Sequence, residues 1–178
     1  MSVPTKAAFV HYGDFDSTTR KLPVMEFMER FRDDFDTKSF DPKWYAPDFT
    51  YVAPDGTVSE GRDKALDAMK ALYGPLPKWC HEAFYLNCYE LDDSGSYEMI
   101  GKATLWANLP GEPAQGESKK TDGEGKKWDL AIPGTYLFNY AKAGDGFVLK
   151  RIELTGDTGP LMVGLLRRGV LSSKDLGL

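Results

Sequence analysis

The stretch from Asp48 to His81 changes its hydrophobic period twice, and that change limits the folds open to the chain. Asp48-Phe49-Thr50-Tyr51-Val52 is an aromatic, β-branched run that reads as a strand. Pro54-Asp55-Gly56 supplies a turn, because Pro fixes one φ and Gly tolerates a positive one. Beyond Ser59 the period becomes helical: Ala65, Leu66, Met69, Leu72 and Tyr73 fall on one face. Gly74-Pro75-Leu76-Pro77 stops that helix, and Trp79-Cys80-His81 opens a new extended run. A strand, a helix laid back across it and a second strand make one half of a curved layer with a floor.

The flanking segments extend the same pattern. Pro23 suits a first helical turn, and Val24, Phe27, Met28, Phe31 and Phe35 form an apolar stripe. The charges between them, Glu26, Glu29, Arg30, Arg32, Asp33 and Asp34, are expected on a solvated face. That helix ends near Asp36, and Asp41-Pro42 caps a short second one carrying Trp44 and Tyr45. A strand from Trp79 to Leu91 is expected to turn through Asp92-Asp93-Ser94-Gly95 into Tyr97–Leu109. There Met99, Gly101, Ala103, Leu105 and Ala107 share one face, while Glu98, Lys102, Thr104, Trp106 and Asn108 share the other, so one face is buried and one is wet. The polar loop 110–127 reads as a hairpin tip or a lid. A strand from Trp128 to Lys142, bent at Pro133-Gly134, and another from Phe147 to Thr155 complete the sheet. Thr158 and Pro160 begin a closing helix with Leu161, Met162, Leu165 and Leu166 on its apolar face and Arg167-Arg168 in its last turn.

Composition narrows the classes. A chain of 178 residues supports one real core, placed at residues 22–170 with an N-terminal arm (1–21) and a C-terminal tail (171–178). Hydrophobic residues at 42% exclude a largely disordered chain. A formal charge of −5 argues against nucleic acid or an anionic membrane as partner. Cys80 and Cys88 are expected reduced on one face of one strand, since residues so spaced cannot form a normal disulfide. The first residues lack a secretory h-region, which leads to a cytoplasmic setting. Neither metal-spaced ligands nor a phosphate-cradling motif is present, so no metal and no cofactor is expected.

The element order gives an α+β class, with helices packed on one face of a bent antiparallel sheet. Across roughly residues 22–160 the chain resembles the nuclear transport factor 2-like superfamily, specifically its polyketide-cyclase-like (SnoaL-like) members. The resemblance is carried by Trp44-Tyr45-Ala46-Pro47-Asp48-Phe49-Thr50, the run Gly56 to Gly61, His81, Gly144-Asp145-Gly146 and Asp157. It implies a cystatin-like α+β barrel: a cone-shaped, curved antiparallel sheet with helices packed on its concave face, around an apolar cavity with a few polar groups at its mouth and floor.

Such cones host many chemistries, so the residues must choose among them. The resemblance places a steroid-isomerase-like base at Ala53, before Pro54, and the matching phenol near Phe31, so that mechanism lacks its groups here. An epoxide-hydrolase-like set would fall to Asp129, Arg151 and Asp157, without a supporting motif. His81 is the candidate acid/base, or else a ring that hydrogen-bonds backbone beside the Pro75–Pro77 loop. Asp157 is a carboxylate at the cavity mouth, orienting His81, or a helix-start charge. Tyr51 is the candidate phenol, or plain core. Tyr85, Trp106, Trp128, Tyr136 and Leu161 are expected walls of a substrate pocket, with core or interface as the plainer role. Trp106 on a polar face suits a homodimer. The function expected is a small secondary-metabolism enzyme that cyclises, dehydrates or isomerises a small hydrophobic, oxygenated substrate by proton transfer; the alternative is a non-catalytic ligand-binding or protein-interaction domain.

Overall fold

Period-2 alternation in the long strands fixes a one-sided sheet, and the helical stripes supply what covers it. The computed structural model describes residues 9–91 and 95–177, so Asp92-Asp93-Ser94 of the expected turn lie outside the described residues. Among the described residues the main sheet has seven strands. They are β1 (Phe9–Tyr12), β2 (Tyr45–Val52), β3 (Val58–Glu60), β4 (Lys78–Glu90), β5 (Tyr97–Asn108), β8 (Leu130–Ala143) and β9 (Gly146–Gly156), in the order β1-β4-β5-β8-β9-β2-β3. A small ribbon pairs β6 (Lys120–Thr121) with β7 (Lys127–Trp128). The helices are α1 (Pro23–Phe35), α2 (Arg62–Tyr73) and α3 (Gly159–Arg167). This is the α+β fold with a large curved sheet. Among the described residues, no helix is long and apolar enough to cross a membrane, and no group of three or more His, Cys, Asp or Glu is placed to hold a metal ion.

The α1 stripe buries Val24, Met25, Met28, Phe31 and Phe35, each contributing roughly 1.5–3 kcal/mol of transfer free energy. Tyr140 of β8 donates its hydroxyl to Met28 Sδ at 2.9 Å, fixing the helix over the sheet. The Asp41 side chain caps the short helix Pro42–Trp44 by accepting from Lys43 N–H, as its spacing before Pro predicts.

Several local expectations are corrected. Residues 9–12 of the expected arm form β1, paired with Tyr85–Cys88 of β4. The sheet is not wholly antiparallel: β2 runs parallel to β9. Trp128 belongs to the ribbon rather than to a long strand, which begins at Leu130. No register slip occurs at Pro133-Gly134; the irregularity of the β8–β9 pair lies at Asn139/Tyr140.

The most consequential irregularity is in β4. Ala83 faces Ala103, yet Tyr85 faces Lys102, so Phe84 is an extra residue. Trp79, His81 and Ala83 point inward before it; Leu86 and Cys88 point inward after it. The slip separates the two cysteines: Cys88 is buried and Cys80 lies half-buried on the opposite face. Burial pushes the Cys88 thiol up to about 12 and the Cys80 thiol up to about 11, which leaves both as thiols at neutral pH.

The loop after β5 lies on the outer face of the sheet. Trp106 Nε1 donates to Glu82 Oε2 at 2.6 Å, and Trp128, fully buried, donates to Asp122 Oδ2 at 2.6 Å. Its anchor is Arg168, which reaches back from the end of α3 to Glu117 (2.6 Å), Asp129 (3.0 Å) and the Leu109 carbonyl (2.9 Å). Burial pushes the Asp129 carboxyl up, but Lys119, the Leu109 N–H and Arg168 together hold it below the usual range.

Arg168→Met should therefore destabilise the protein by about 2–3 kcal/mol, somewhat less than a deeply buried pair, because Asp129 keeps its charge and loses a partner. A carboxylate with a depressed folded pKa stabilises above its unfolded value and loses that contribution as pH falls through the folded one. Thermal melts should then show the full deficit at neutral pH and a shrinking one below about pH 4. A deficit that stays constant to pH 3 would refute the ion-pair account.

Candidate active site

Asp36 is the first residue beyond α1, and its N–H closes the helix on the Arg32 carbonyl. Its carboxylate is thereby aimed off the helix end at β4. Asp36 Oδ2 accepts the His81 backbone N–H at 2.8 Å, and Oδ1 accepts from His81 Nδ1 at 2.7 Å. Because β1 covers β4 only from Tyr85 to Cys88, this backbone N–H sits on an uncovered strand edge and needs such a partner. Arg32 Nη1 meets the His81 carbonyl at 3.2 Å, so the last turn of α1 satisfies both backbone groups of the histidine.

The imidazole is 9% exposed and packs among Phe35, Tyr73 and Tyr136, with ring centroids 5.6–5.8 Å away. Its Nε2 lies 3.3 Å from the Tyr73 hydroxyl, and the Tyr136 ring stands edge-on to the imidazole. The proton order follows from chemistry. A carboxylate only accepts, so Nδ1 carries the hydrogen of the neutral ring and Nε2 presents a lone pair. Tyr73 then donates to Nε2. Burial pushes both phenols upward, keeping them protonated.

These groups face a cavity of about 70 Å³, measured as space open to the centre of a water-sized sphere. At 10–15 Å³ for each such sphere, that is room for roughly five waters or one small ring. The cavity exists because the inner face of the sheet carries Ala83, Gly101 and Ala103 where larger side chains would meet Phe31 and Met69 of the helices. Its lining is almost wholly hydrocarbon. Tyr51 lies in the wall from β2, and its buried hydroxyl has no hydrogen-bond partner. Phe15 and Arg32 close the mouth. The Arg32 guanidinium, 4.9 Å from the Phe15 ring centroid, binds Asp14 and Asp33 at 2.8 Å each, so its charge is balanced.

Of the residues singled out in the sequence, His81, Tyr51 and Tyr136 come together here. Leu161 lines a smaller adjoining chamber. Asp157 does not orient His81: it is exposed and accepts the Gly159 N–H at 2.8 Å, the helix-start role. Tyr85 is turned to the outer face by the extra residue Phe84 and packs on Tyr12. Trp106 and Trp128 sit under the outer loop. Asp129, Arg151 and Asp157 make separate contacts, with Arg168, Glu153 and Gly159 respectively, and form no set. Residues missed were Asp36, whose position after a helix looked solvated, and Tyr73, counted as one member of an apolar stripe. Arg32, expected on a solvated face, lines the mouth.

No protein-family model matches the chain, and no curated protein matches its sequence. Solved structures do match in fold. A protein with a cystatin-like fold from Caulobacter vibrioides superposes with a TM-score of 0.57 at 11% identity, covering 79% of this chain and 92% of that one. A proposed scytalone dehydratase from Novosphingobium aromaticivorans gives 0.58 at 11%, covering 80% and 89%. A hexachlorocyclohexane dehydrochlorinase, LinA-type3, from Novosphingobium barchaimii gives 0.57 at 11%, covering 80% and 91%. At such identities the likeness establishes the cystatin-like fold and no more.

Asp36→Asn tests the proton order. An amide accepts at one atom only, so it cannot take both His81 hydrogens, and its N–H should drive the neutral ring to the Nε2–H form. Long-range proton–nitrogen NMR should show the Nδ1–H form in the wild type and its loss in the variant. An Nε2–H ring in the wild type would overturn the assignment.

Proposed function

We propose that this protein is a cofactor-independent lyase that removes a carbon-bound proton from a small, neutral, apolar molecule and expels an oxygen leaving group, a dehydration. The observation that supports it most is the Asp36–His81 pair presenting an unprotonated Nε2 in a hydrocarbon cavity. In this reading Nε2 takes the proton, the C–H electrons form the double bond, and the leaving oxygen departs with its electron pair. The imidazolium is stabilised by Asp36 and returns its proton to the departing oxygen, directly or through Tyr73, so that water is the net loss. The unpartnered Tyr51 hydroxyl donates to an oxygen of the substrate and sets its orientation. For substrate to reach Nε2 it must displace Tyr73, whose 3.3 Å contact is long for such a bond.

The names of two structural neighbours denote eliminations, of water and of hydrogen chloride, and so favour this class over cyclisation or isomerisation. The polyketide-cyclase-like resemblance of the sequence accords with secondary metabolism as the setting. Residues 22–170 form the working domain, with Phe15 from the preceding arm at its mouth. In the same proposal the protein acts in the cytoplasm as a homodimer, without metal or organic cofactor.

A panel of cyclic β-hydroxy ketones, followed by the rise of enone absorbance, tests the reading. Wild-type protein should turn over at least one member and exchange its acidic carbon proton with deuterium from solvent. His81→Gln should lower the rate by about 10²–10⁴-fold. Turnover that survives unchanged in His81→Gln would place the base elsewhere.

A further inference from the structure

Behind the phenol wall lies a second chamber of about 30 Å³, measured in the same way. Tyr73, Tyr136 and Leu154 line both spaces, so they form a partition. The rear space is bounded otherwise by Leu72, Leu76, Leu105, Ile132 and Leu161, with Pro54 and Thr158 at its edge. Protein interiors are normally close-packed, and a void this size forfeits contacts that one larger side chain would restore. Here it adjoins the proposed base.

We propose that the rear chamber binds a short apolar substituent of the molecule whose reacting carbon meets His81. The ligand class is a ring compound carrying an alkyl arm of two or three carbons. This rests on the functional reading above, which supplies the front half of the ligand. Three features carry it. The rear lining is hydrocarbon, so it stays dry when empty and gains by accepting an alkyl group. Of the two partition phenols, Tyr73 is held by its 3.3 Å contact to His81 Nε2; a hydrogen bond shifts an equilibrium by roughly tenfold at most, whereas each buried methylene is worth about fourfold. Finally, Gly134 leaves the Tyr136 ring its place: a Cβ there would stand 3.2 Å from Tyr136 Cε2, so a larger residue would need the ring to give by a few tenths of an ångström.

Calorimetry with phenol, 4-methylphenol, 4-ethylphenol and 4-propylphenol tests the proposal. Affinity should rise about fourfold with each added carbon in the wild type. Ile132→Phe fills the chamber from the sheet side and Leu72→Phe from α2. Either should flatten the series while leaving the affinity for phenol itself unchanged, and two variants guard against one failing to fold. A flat wild-type series, or a rising one that neither variant flattens, overturns the rear site and leaves the front cavity standing. If phenol does not bind the wild type, the front-cavity reading fails instead. Xenon-pressurised crystals then decide the chamber alone: xenon density between Ile132 and Leu161 supports an apolar site, and its absence overturns one.

Discussion

One carboxylate ties the first helix to the sheet. Asp36 accepts both a backbone N–H and a ring N–H from His81, and without it a strand edge and an imidazole would be buried unpaired. Leaving such groups unsatisfied costs about 1–3 kcal/mol apiece. The interaction is therefore structural first. Because the same two bonds fix the ring's tautomer and direction, stability and chemistry depend on a single geometry. Arg32, one turn earlier, completes it by taking the His81 carbonyl and closing the mouth against Asp14 and Phe15.

The hollow that this pair faces depends on residues with little side chain. Ala83, Gly101 and Ala103 come into register across β4 and β5 because the extra residue Phe84 lies just beyond Ala83. Upstream of it, odd positions of β4 face the helices; downstream, even positions do. Had the strand kept one period, Tyr85 would enter the cavity beside His81 and fill much of it. A bulge next to a functional site here re-aims an aromatic ring outward and leaves space.

That bulge also marks where sequence reasoning stopped. The period of each long segment was readable, so β2, β4, β5, β8, β9, α1, α2 and the closing helix were expected near their observed bounds, as was the inner face of β5 from Met99 to Ala107, whereas the short strands β1, β3, β6 and β7 were not. His81 and Tyr51 could be placed on walls of the cone by the same parity. Tyr85 could not, because nothing in the run Ala83-Phe84-Tyr85 announces a slip. Asp36 was invisible for another reason: forty-five residues separate it from His81, and a charge just past a helix reads as solvated. Asp157 had the more suggestive position, at the end of the last strand, yet its carboxylate is used up on the Gly159 N–H. The small residues Gly101 and Ala103 were the legible sign of a cavity, since a face lined by them cannot fill its own centre.

Charge balance then sets what the cavity can receive. Arg32 is matched by Asp14 and Asp33, Asp36 behind His81 is matched by that residue's N–H groups, and Lys102, which also lines the cavity, holds its ammonium 5.9 Å from the centroid of the outward-facing Tyr85 ring. An ionic ligand would enter a lining that is almost wholly hydrocarbon and meet the desolvation penalty there. A neutral molecule gains from the apolar lining and needs only a donor for its oxygen, which the unpartnered Tyr51 hydroxyl provides. In the proposed reaction the proton moves to His81 and the imidazolium forms beside a carboxylate already in place, so the new charge arises where it is compensated. The same apolar surroundings that exclude ions strengthen that compensation, since an ion pair is worth more as the local dielectric falls. Selection for neutral ligands and stabilisation of the charged intermediate thus have one physical cause.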